Sequence, residues 1–517
     1  MTTRSARRAA LLAAALLAAR AGAQDRPSEE DLFGAPAAPP SADGSPAAKE
    51  APAPPPPRGS VSKEREDALK VGGLLYLRAA TSGQAATPAA DWRLSSPNLL
   101  DVYLDVRPND RVRGFVLGRM LYDPSLPPAG SALPSRLEPA TIFNRTQANP
   151  TGVLDQLWIN FDVQRTVFVT AGRQHVKWGV GRFWNPTDYL HPVRRDPLAT
   201  FDVRTGTTMV KLHLPWEARG WNLYGMAILD DVAGELPVKP DGTQDATNRL
   251  GRLGTGGRAE VVLGPVELGL DAVAQQGHRP RFGADVSAGI WDVDVYAEAA
   301  FRTQVDTPRW RKVPGAPDSA PLLERYERFN PLELTPQVVV GATYSAKYSD
   351  EDSVTFGAEY FYDHSGYAGP EIYPVLLGVA AISPVSSFPP IPPSTSATPN
   401  PIAGQPNPFT SFYLGKHYGG AYVSLPSPGS WNDTTFTLSV LGNLSDKSFV
   451  ARLDHFVLLN TYLRLETFLA GHLGAREGEF RLGFAVPPQQ VAAGLPSFGF
   501  SSQPMVLDAG MALRVTL

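Results

Sequence analysis

The chain of 517 residues contains no cysteine. A disulfide-stapled secreted domain is therefore excluded, and so is a lipoprotein anchored through an acylated cysteine. Beyond residue 23 there is no uncharged apolar stretch of about 18 residues, which excludes an ordinary transmembrane helix. A dominant charge is missing too. Lys+Arg 47 against Asp+Glu 51 leave a formal net charge of -4, which gives no reason to expect nucleic acid or an anionic surface as a partner. Catalytic constellations are also lacking. The eight histidines are scattered singly; His364 lies in a loop, and His213, His455 and His472 fall on strand-like segments without a companion at ligand spacing. A zinc site needs three or four converging ligands, and no Ser/His or paired-acid motif stands out. The residues predict no enzyme, no metal and no cofactor.

What is present begins at the N-terminus. Arg4, Arg7 and Arg8 precede an apolar run, Ala9 to Ala19, and Ala21-Gly22-Ala23 offers an A-x-A cleavage site before Gln24. Residues 1–23 read as a secretory signal peptide. A twin-arginine reading of Arg7-Arg8 is weakened by Ala10, where a more apolar residue is expected. From Gln24 to about Ser62 the sequence is rich in Pro and Ala, including Pro54-Pro55-Pro56-Pro57, and cannot build a core. Residues 24–65 are expected to form a disordered periplasmic segment, acting as a spacer or as a docking arm, ahead of a single domain, 66–517.

That domain is all-β. Its last eleven residues alternate strictly, with Leu507, Ala509, Met511, Leu513, Val515 and Leu517 opposed to Asp508, Gly510, Ala512, Arg514 and Thr516. A strand has period two, so one face is apolar enough to meet lipid and the other carries charge. The same patterning yields strands at about 70–79, 98–107, 111–122, 153–163, 166–176, 206–214, 220–230, 257–263, 266–275, 282–289, 292–302, 336–347, 353–363, 416–425, 433–443, 447–457, 461–473 and 505–517. Pro108-Asn109-Asp110, Gln164-Arg165 and Gly289-Ile290-Trp291 join neighbours by tight turns. Most intervening links are long, notably 123–152, 177–205, 231–256, 304–335, 364–415 and 474–504. Short turns at one end and long loops at the other predict a transmembrane antiparallel β-barrel of about 18 strands, with 16 as the alternative count. Trp221, Trp291, Tyr348 and Trp431 near the short turns, and Tyr122 and Tyr362 near the long loops, fit interfacial girdles.

Alternation also nominates the inner wall. Its expected lining is Asp101, Tyr103, Asp105, Arg113, Trp158, Asp162, Lys211, Asp271, Asp292, Asp294, Glu298, Arg452, Arg464, Glu466 and Arg514, with Glu359 among the further inward charges. The signs nearly balance, which keeps a lumen wet and predicts weak ion selectivity, because strong selection needs a ring of one sign. Some of these charges will pair across neighbouring strands. One segment stands apart: Gly172-Arg173-Gln174-His175-Val176-Lys177-Trp178-Gly179-Val180-Gly181-Arg182-Phe183-Trp184-Asn185-Pro186-Thr187-Asp188-Tyr189, followed by Arg194-Arg195-Asp196. Three glycines and Asn185-Pro186 force an irregular turn loaded with aromatic and cationic groups.

In this segment the chain resembles a broad group of porin-like Gram-negative outer-membrane barrel proteins that carry a similar G-R-Q…W-G…N-P-x-D stretch. The resemblance implies a location in the cell outer membrane and a loop folded into the lumen, where Lys177, Trp178, Arg182, Asn185, Asp188, Arg194, Arg195 and Asp196 would form a constriction; a loop lying outside, over the rim, is the other arrangement. It also implies that the C-terminal strand, with Leu513, Val515 and Leu517, is the signal read by the barrel-assembly machinery. Strand number, leader and Pro-rich segment further resemble the barrel subunits of composite polysaccharide-export systems, which implies a periplasmic polysaccharide-export protein as a partner besides outer-membrane lipid. Tyr103, Trp158, Tyr296 and Tyr462 beside polar groups would suit a passing sugar chain. Two functions remain: a channel, and a non-conducting barrel acting as surface adhesin or assembly platform through its Pro-rich loop 364–415.

Overall fold

The computed structural model describes residues 68–125, 150–191, 194–200, 202, 204–230, 250–276, 278–303, 305, 309–331, 333–350, 352–382, 411–490 and 497–517. The expected signal peptide and Pro-rich segment lie outside them.

Alternating apolar and polar residues produce one sheet of 19 strands. One of these, the three-residue Arg93–Ser95, pairs only with the first long strand. The other eighteen form the wall: β1 Leu69–Gln84, β2 Asn98–Asn109, β3 Val112–Tyr122, β4 Thr151–Val163, β5 Val167–Gln174, β6 Thr207–Trp216, β7 Trp221–Ile228, β8 Gly254–Leu263, β9 Val266–Ala274, β10 Arg281–Ile290, β11 Val293–Phe301, β12 Gln337–Lys347, β13 Ser353–Asp363, β14 His417–Pro426, β15 Thr434–Asn443, β16 Ser448–Asn460, β17 Leu463–Gly474 and β18 Met505–Thr516. Each pairs antiparallel with the next, and β18 pairs back onto β1 from Thr516 opposite Leu74 to Met505 opposite Gln84. The sheet therefore has no free edge, the condition for strands to survive in hydrocarbon. The 18-strand count holds and the 16-strand alternative is set aside.

β1 begins and β18 ends on the side of the barrel where the short turns are. In the β4–β5 turn Gln164 and Arg165 take positive φ of 53° and 57°, the handedness a tight hairpin requires, and the Thr166 N–H closes on the Val163 carbonyl at 3.1 Å. At the opposite end the chain makes its long excursions. Residues 443–448 are an exception there, a tight turn between β15 and β16.

The two faces differ as the alternation requires. Val102, Leu104, Ile159, Leu212, Val340, Leu469, Met511 and Leu513 point outward and are exposed, while Asp101, Asp105, Asp271, Asp285, Glu298 and Glu359 on the other face are buried. So much outward apolar surface suits lipid and not water. Trp291, Tyr348, Trp431 and Tyr462 are exposed beside the short turns, where a girdle belongs. No helix among the described residues is long and apolar enough to cross a membrane. The eighteen strands make a closed antiparallel β-barrel with an apolar outer face.

In β4 the alternation breaks. Leu154 and Leu157 are both exposed, at 45 % and 48 %, whereas Asp155 between them is 1 % exposed. The register against β3 shifts here, with Leu117 opposite Gln156 and Gly118 opposite Leu154. A β-bulge at Asp155 turns two consecutive side chains away from lipid.

Candidate functional site

A wall of about 16 to 18 strands is wide enough to leave an aqueous channel unless something fills it. Here the described residues between β5 and β6, 175–191, 194–200, 202 and 204–206, turn inward and touch both sides of the lumen.

Two wall carboxylates hold the nearer part of this segment. Glu298 of β11 accepts the backbone N–H groups of Val180 at 2.9 Å, Gly181 at 3.0 Å and Thr187 at 2.7 Å, and the Thr187 hydroxyl at 2.8 Å. Glu359 of β13 accepts those of Arg182 at 2.7 Å, Phe183 at 3.1 Å and Trp184 at 2.9 Å, with the Tyr296 hydroxyl at 2.8 Å. The segment thus wraps its backbone donors around two acids, a fixed positive environment for each. The glycines permit it. Gly179 has φ +82°, and a Cβ there would run into Glu298 and Asn185; one on Gly181 would run into the Trp184 carbonyl. Asn185 closes the turn with its side-chain amide donating to the Trp178 carbonyl.

Apolar packing fixes the rest. Trp178, Tyr189, Leu190 and Val176 are buried against Met209, Met226, Ile228, Val273 and Ala300 of β6, β7, β9 and β11. Phe183 and Trp184 pack with Val339, Phe361, Tyr418, Tyr422 and Leu441 of β12 to β15. Trp184 stacks on Phe361 at 5.6 Å, and the Arg182 guanidinium sits 3.5 Å from the centre of the Tyr422 ring. Farther along, the Leu198 carbonyl accepts from Arg452 Nη1 of β16 at 2.9 Å. The segment therefore reaches from its root at β5 to the wall at β16.

The root is ionic. Asp155 meets His175 at 2.9 Å, Arg119 at 3.3 Å and the Gly206 N–H at 3.1 Å, and Arg119 grips Asp101 with two 2.9 Å bonds. Asp188 bonds His191 and Arg204, each at 2.8 Å, and Arg204 bonds Asp202 at 2.6 Å. Burial pushes the Asp202 carboxyl up, but the adjoining Arg204 guanidinium outweighs it and holds the group at about 2. Asp188 is likewise lowered, with His191 and Arg204 overcoming its burial.

Of the residues the sequence nominated for a constriction, Trp178, Arg182 and Asp188 are buried in this inward segment, and Asn185, Arg194 and Arg195 are partly covered. Lys177 and Asp196 are exposed. Most nominated wall charges face neighbours that pair with them. Asp105 is bound by Arg113 and Arg107, Arg258 joins Asp285 and Asp271, Arg452 lies beside Asp454, and Arg464 and Arg514 approach Glu466. Lys211 is half-buried on the inner face of β6, and Asp294 is exposed at the mouth. One placement is corrected: Asp292 lies exposed within the β10–β11 turn, whereas Asp162 stands opposite Phe168 at the turn end of β4, accepting from Arg111 and from the Arg165 N–H at 2.8 Å. Tyr462 also sits at a turn, between β16 and β17, and Tyr296 is engaged by Glu359. Alternation carried no hint of Asp155 as a root residue, because the bulge moves it off the face that a period of two assigns.

Below the inward segment, toward the short turns, the wall carries stacked rings. Tyr103, Phe115 and Trp158 of β2, β3 and β4 follow one another at 5.8 and 5.4 Å, with Arg113 5.3 Å over Trp158. Phe168, His213 and Tyr224 of β5, β6 and β7 continue the arc at 5.9 and 4.6 Å, and the Tyr224 hydroxyl donates to Glu260 at 3.3 Å. Among the described residues no group of three or more acids and histidines could hold a metal ion.

No protein-family model matches the sequence, and no curated protein sequence does. Solved structures similar in form include a triple mutant of the porin of Rhodopseudomonas blastica, 11% identical, covering 87% of this chain and 100% of that one with a TM-score of 0.36. Another is Pseudomonas aeruginosa OccK2, solved in complex with glucuronate, 9% identical, covering 87% and 98% with a TM-score of 0.44.

Proposed function

We propose that this chain is a channel of the Gram-negative outer membrane, delivered by a cleaved leader and inserted by the barrel-assembly machinery, that passes small polar solutes around an inward-folded constriction. The observation that carries the reading is the anchoring of residues 180–187 inside the closed wall by Glu298 and Glu359. A barrel serving only as a surface platform has no need of a structured segment across its lumen. The part of loop 364–415 within the described residues, 364–382 and 411–415, folds back over the barrel mouth through buried Tyr373, Leu376 and Leu414.

The test is conductance in planar bilayers. Replacing Arg182, Arg194 and Arg195 together by Ala removes cations from the inward segment, so conductance should rise and selectivity shift toward cations. An unchanged conductance and reversal potential in the folded variant would overturn the constriction.

A sugar is the solute the aromatic arc supports best. Ring faces at Tyr103, Phe115, Trp158 and Tyr224 offer apolar contact to a pyranose, and Arg113, Asn160 and Glu260 surround them with hydrogen-bonding groups. The polysaccharide-export reading, with its periplasmic partner, draws on the same arc and on nothing else here. A polymer would need residues 175–206 withdrawn first. Oligosaccharide added to an open channel should produce resolvable current block, lost in Trp158→Ala; absence of block in the parent protein would sink the sugar reading and leave the channel.

A further inference from the structure

Over the long-loop end of the barrel four stretches of chain meet: the helix Tyr373–Ile382, residues 411–418, the turn 443–448 and residues 475–484. Two buried carboxylates knit them. Glu479 accepts the Phe412 N–H, the Tyr418 hydroxyl at 2.7 Å and the Asn443 amide at 2.8 Å. Asp446 accepts the Glu479 N–H at 2.8 Å, the Tyr373 hydroxyl at 3.0 Å, and the Ser448 N–H and hydroxyl at 2.9 and 2.6 Å. Among the described residues neither acid has a basic partner within ion-pair distance.

Other charges on these stretches are directed elsewhere. Arg476 bonds Gln503, Arg481 bonds the carbonyls of Gly474 and Met505, and Glu477 and Lys447 are exposed. Lys416 is half-exposed, His417 bonds Tyr360 on the outer face, and His472 bonds Asp508 and the Phe480 carbonyl. From below, Arg194 and Arg195 of the inward segment lie against Tyr413, whose hydroxyl donates to the Arg195 carbonyl at 3.1 Å. Trp184 Nε1 donates to the Phe412 carbonyl at 3.0 Å. Roof and inward segment are thus one packed body.

We propose that this roof is a proton-held lid on the channel: it stays closed while Glu479 carries a proton beside Asp446, and it loosens when both acids are ionised, freeing the inward segment beneath. The proposal rests on the channel reading above. Burial, with the Asp446 charge adding to it, pushes Glu479 up to about 8, and burial raises Asp446 as well. An acid whose value is raised in the closed state binds its proton more tightly there than when the lid is open. Closure is therefore complete below the ordinary value of 4.5 and is lost as pH rises through about 8.

The full-length protein should be tested by bilayer conductance and by hydrogen exchange of the folded barrel. Between about pH 6 and pH 9.5, open conductance should rise roughly threefold or more while residues 411–418 and 475–484 lose protection. Glu479→Gln, neutral at every pH, should stay protected and poorly conducting. If that variant does not fold, Asp446→Asn serves: with the neighbouring charge gone Glu479 is raised less and two ionised acids never face each other, so the loss of protection between about pH 6 and pH 9.5 should shrink. Protection that does not change with pH in the parent protein, or a variant that responds to pH as the parent does, would overturn the lid. If protection falls as expected while conductance stays at zero, the lid stands and the channel reading fails.

Discussion

Glu298 and Glu359 each collect three backbone N–H groups of the inward segment and one hydroxyl. Removing such an acceptor leaves its donors buried and unpaired, at about 1–3 kcal/mol for each group that water does not reach. Glu359→Ala should therefore release residues 182–184 without opening the wall, and single-channel conductance should rise while the heat-modifiable band on gel electrophoresis is retained. At the root, Asp202 is held at about 2 against an ordinary 3.8, so its contribution is present above 3.8 and lost as pH falls through about 2. Exchange protection of residues 204–206 should accordingly hold at pH 5 and disappear only in strong acid. Alternation showed Glu298 and Glu359 to be inward acids but not anchors. A period-two pattern tells which face a side chain takes, and nothing about what lies across the lumen. Asp155 was not even on the right face, since one bulged residue inverts the reading beyond it.

The closing strand β18 pairs on both flanks, with β17 and with β1. Deleting Leu507–Leu517 would expose two edges where no water can satisfy them, and should abolish assembly, checked as loss of the folded form from the outer membrane. A gentler change discriminates the faces. Leu513 points outward and Thr516 belongs to the opposite face, so Leu513→Arg should cost roughly 2–4 kcal/mol near the midplane while Thr516→Arg is better tolerated, measured by unfolding in lipid vesicles. Elements of this kind were legible because a strand half in lipid and half facing a polar lumen must alternate. The helix Tyr373–Ile382 was not, because a short apolar run flanked by prolines carries no period of its own.

For the whole molecule, closure follows from eighteen strands that each need two neighbours, and the Pro-rich sequence 24–65 carries no core-forming pattern. Removing Gln24–Ser62 should leave the heat-modifiable fold intact, and loss of that form would contradict the expectation. The sequence by itself determined the class, the approximate strands and, outside the bulge at Asp155, which face of the wall most strand residues take, because lipid on one face and polar contents on the other impose a local, period-two constraint. It also marked residues 172–196 as unusual through their glycines, tryptophans and arginines. Only the tertiary structure decided that this segment crosses the lumen, that Glu298 and Glu359 hold it, and that Glu479 and Asp446 tie four separate stretches into a roof. Those contacts join residues more than a hundred positions apart, as between Val180 and Glu298, or pair loops that share no pattern. Their energetics depend on burial and on which donors meet an acid in space, and no local periodicity records that.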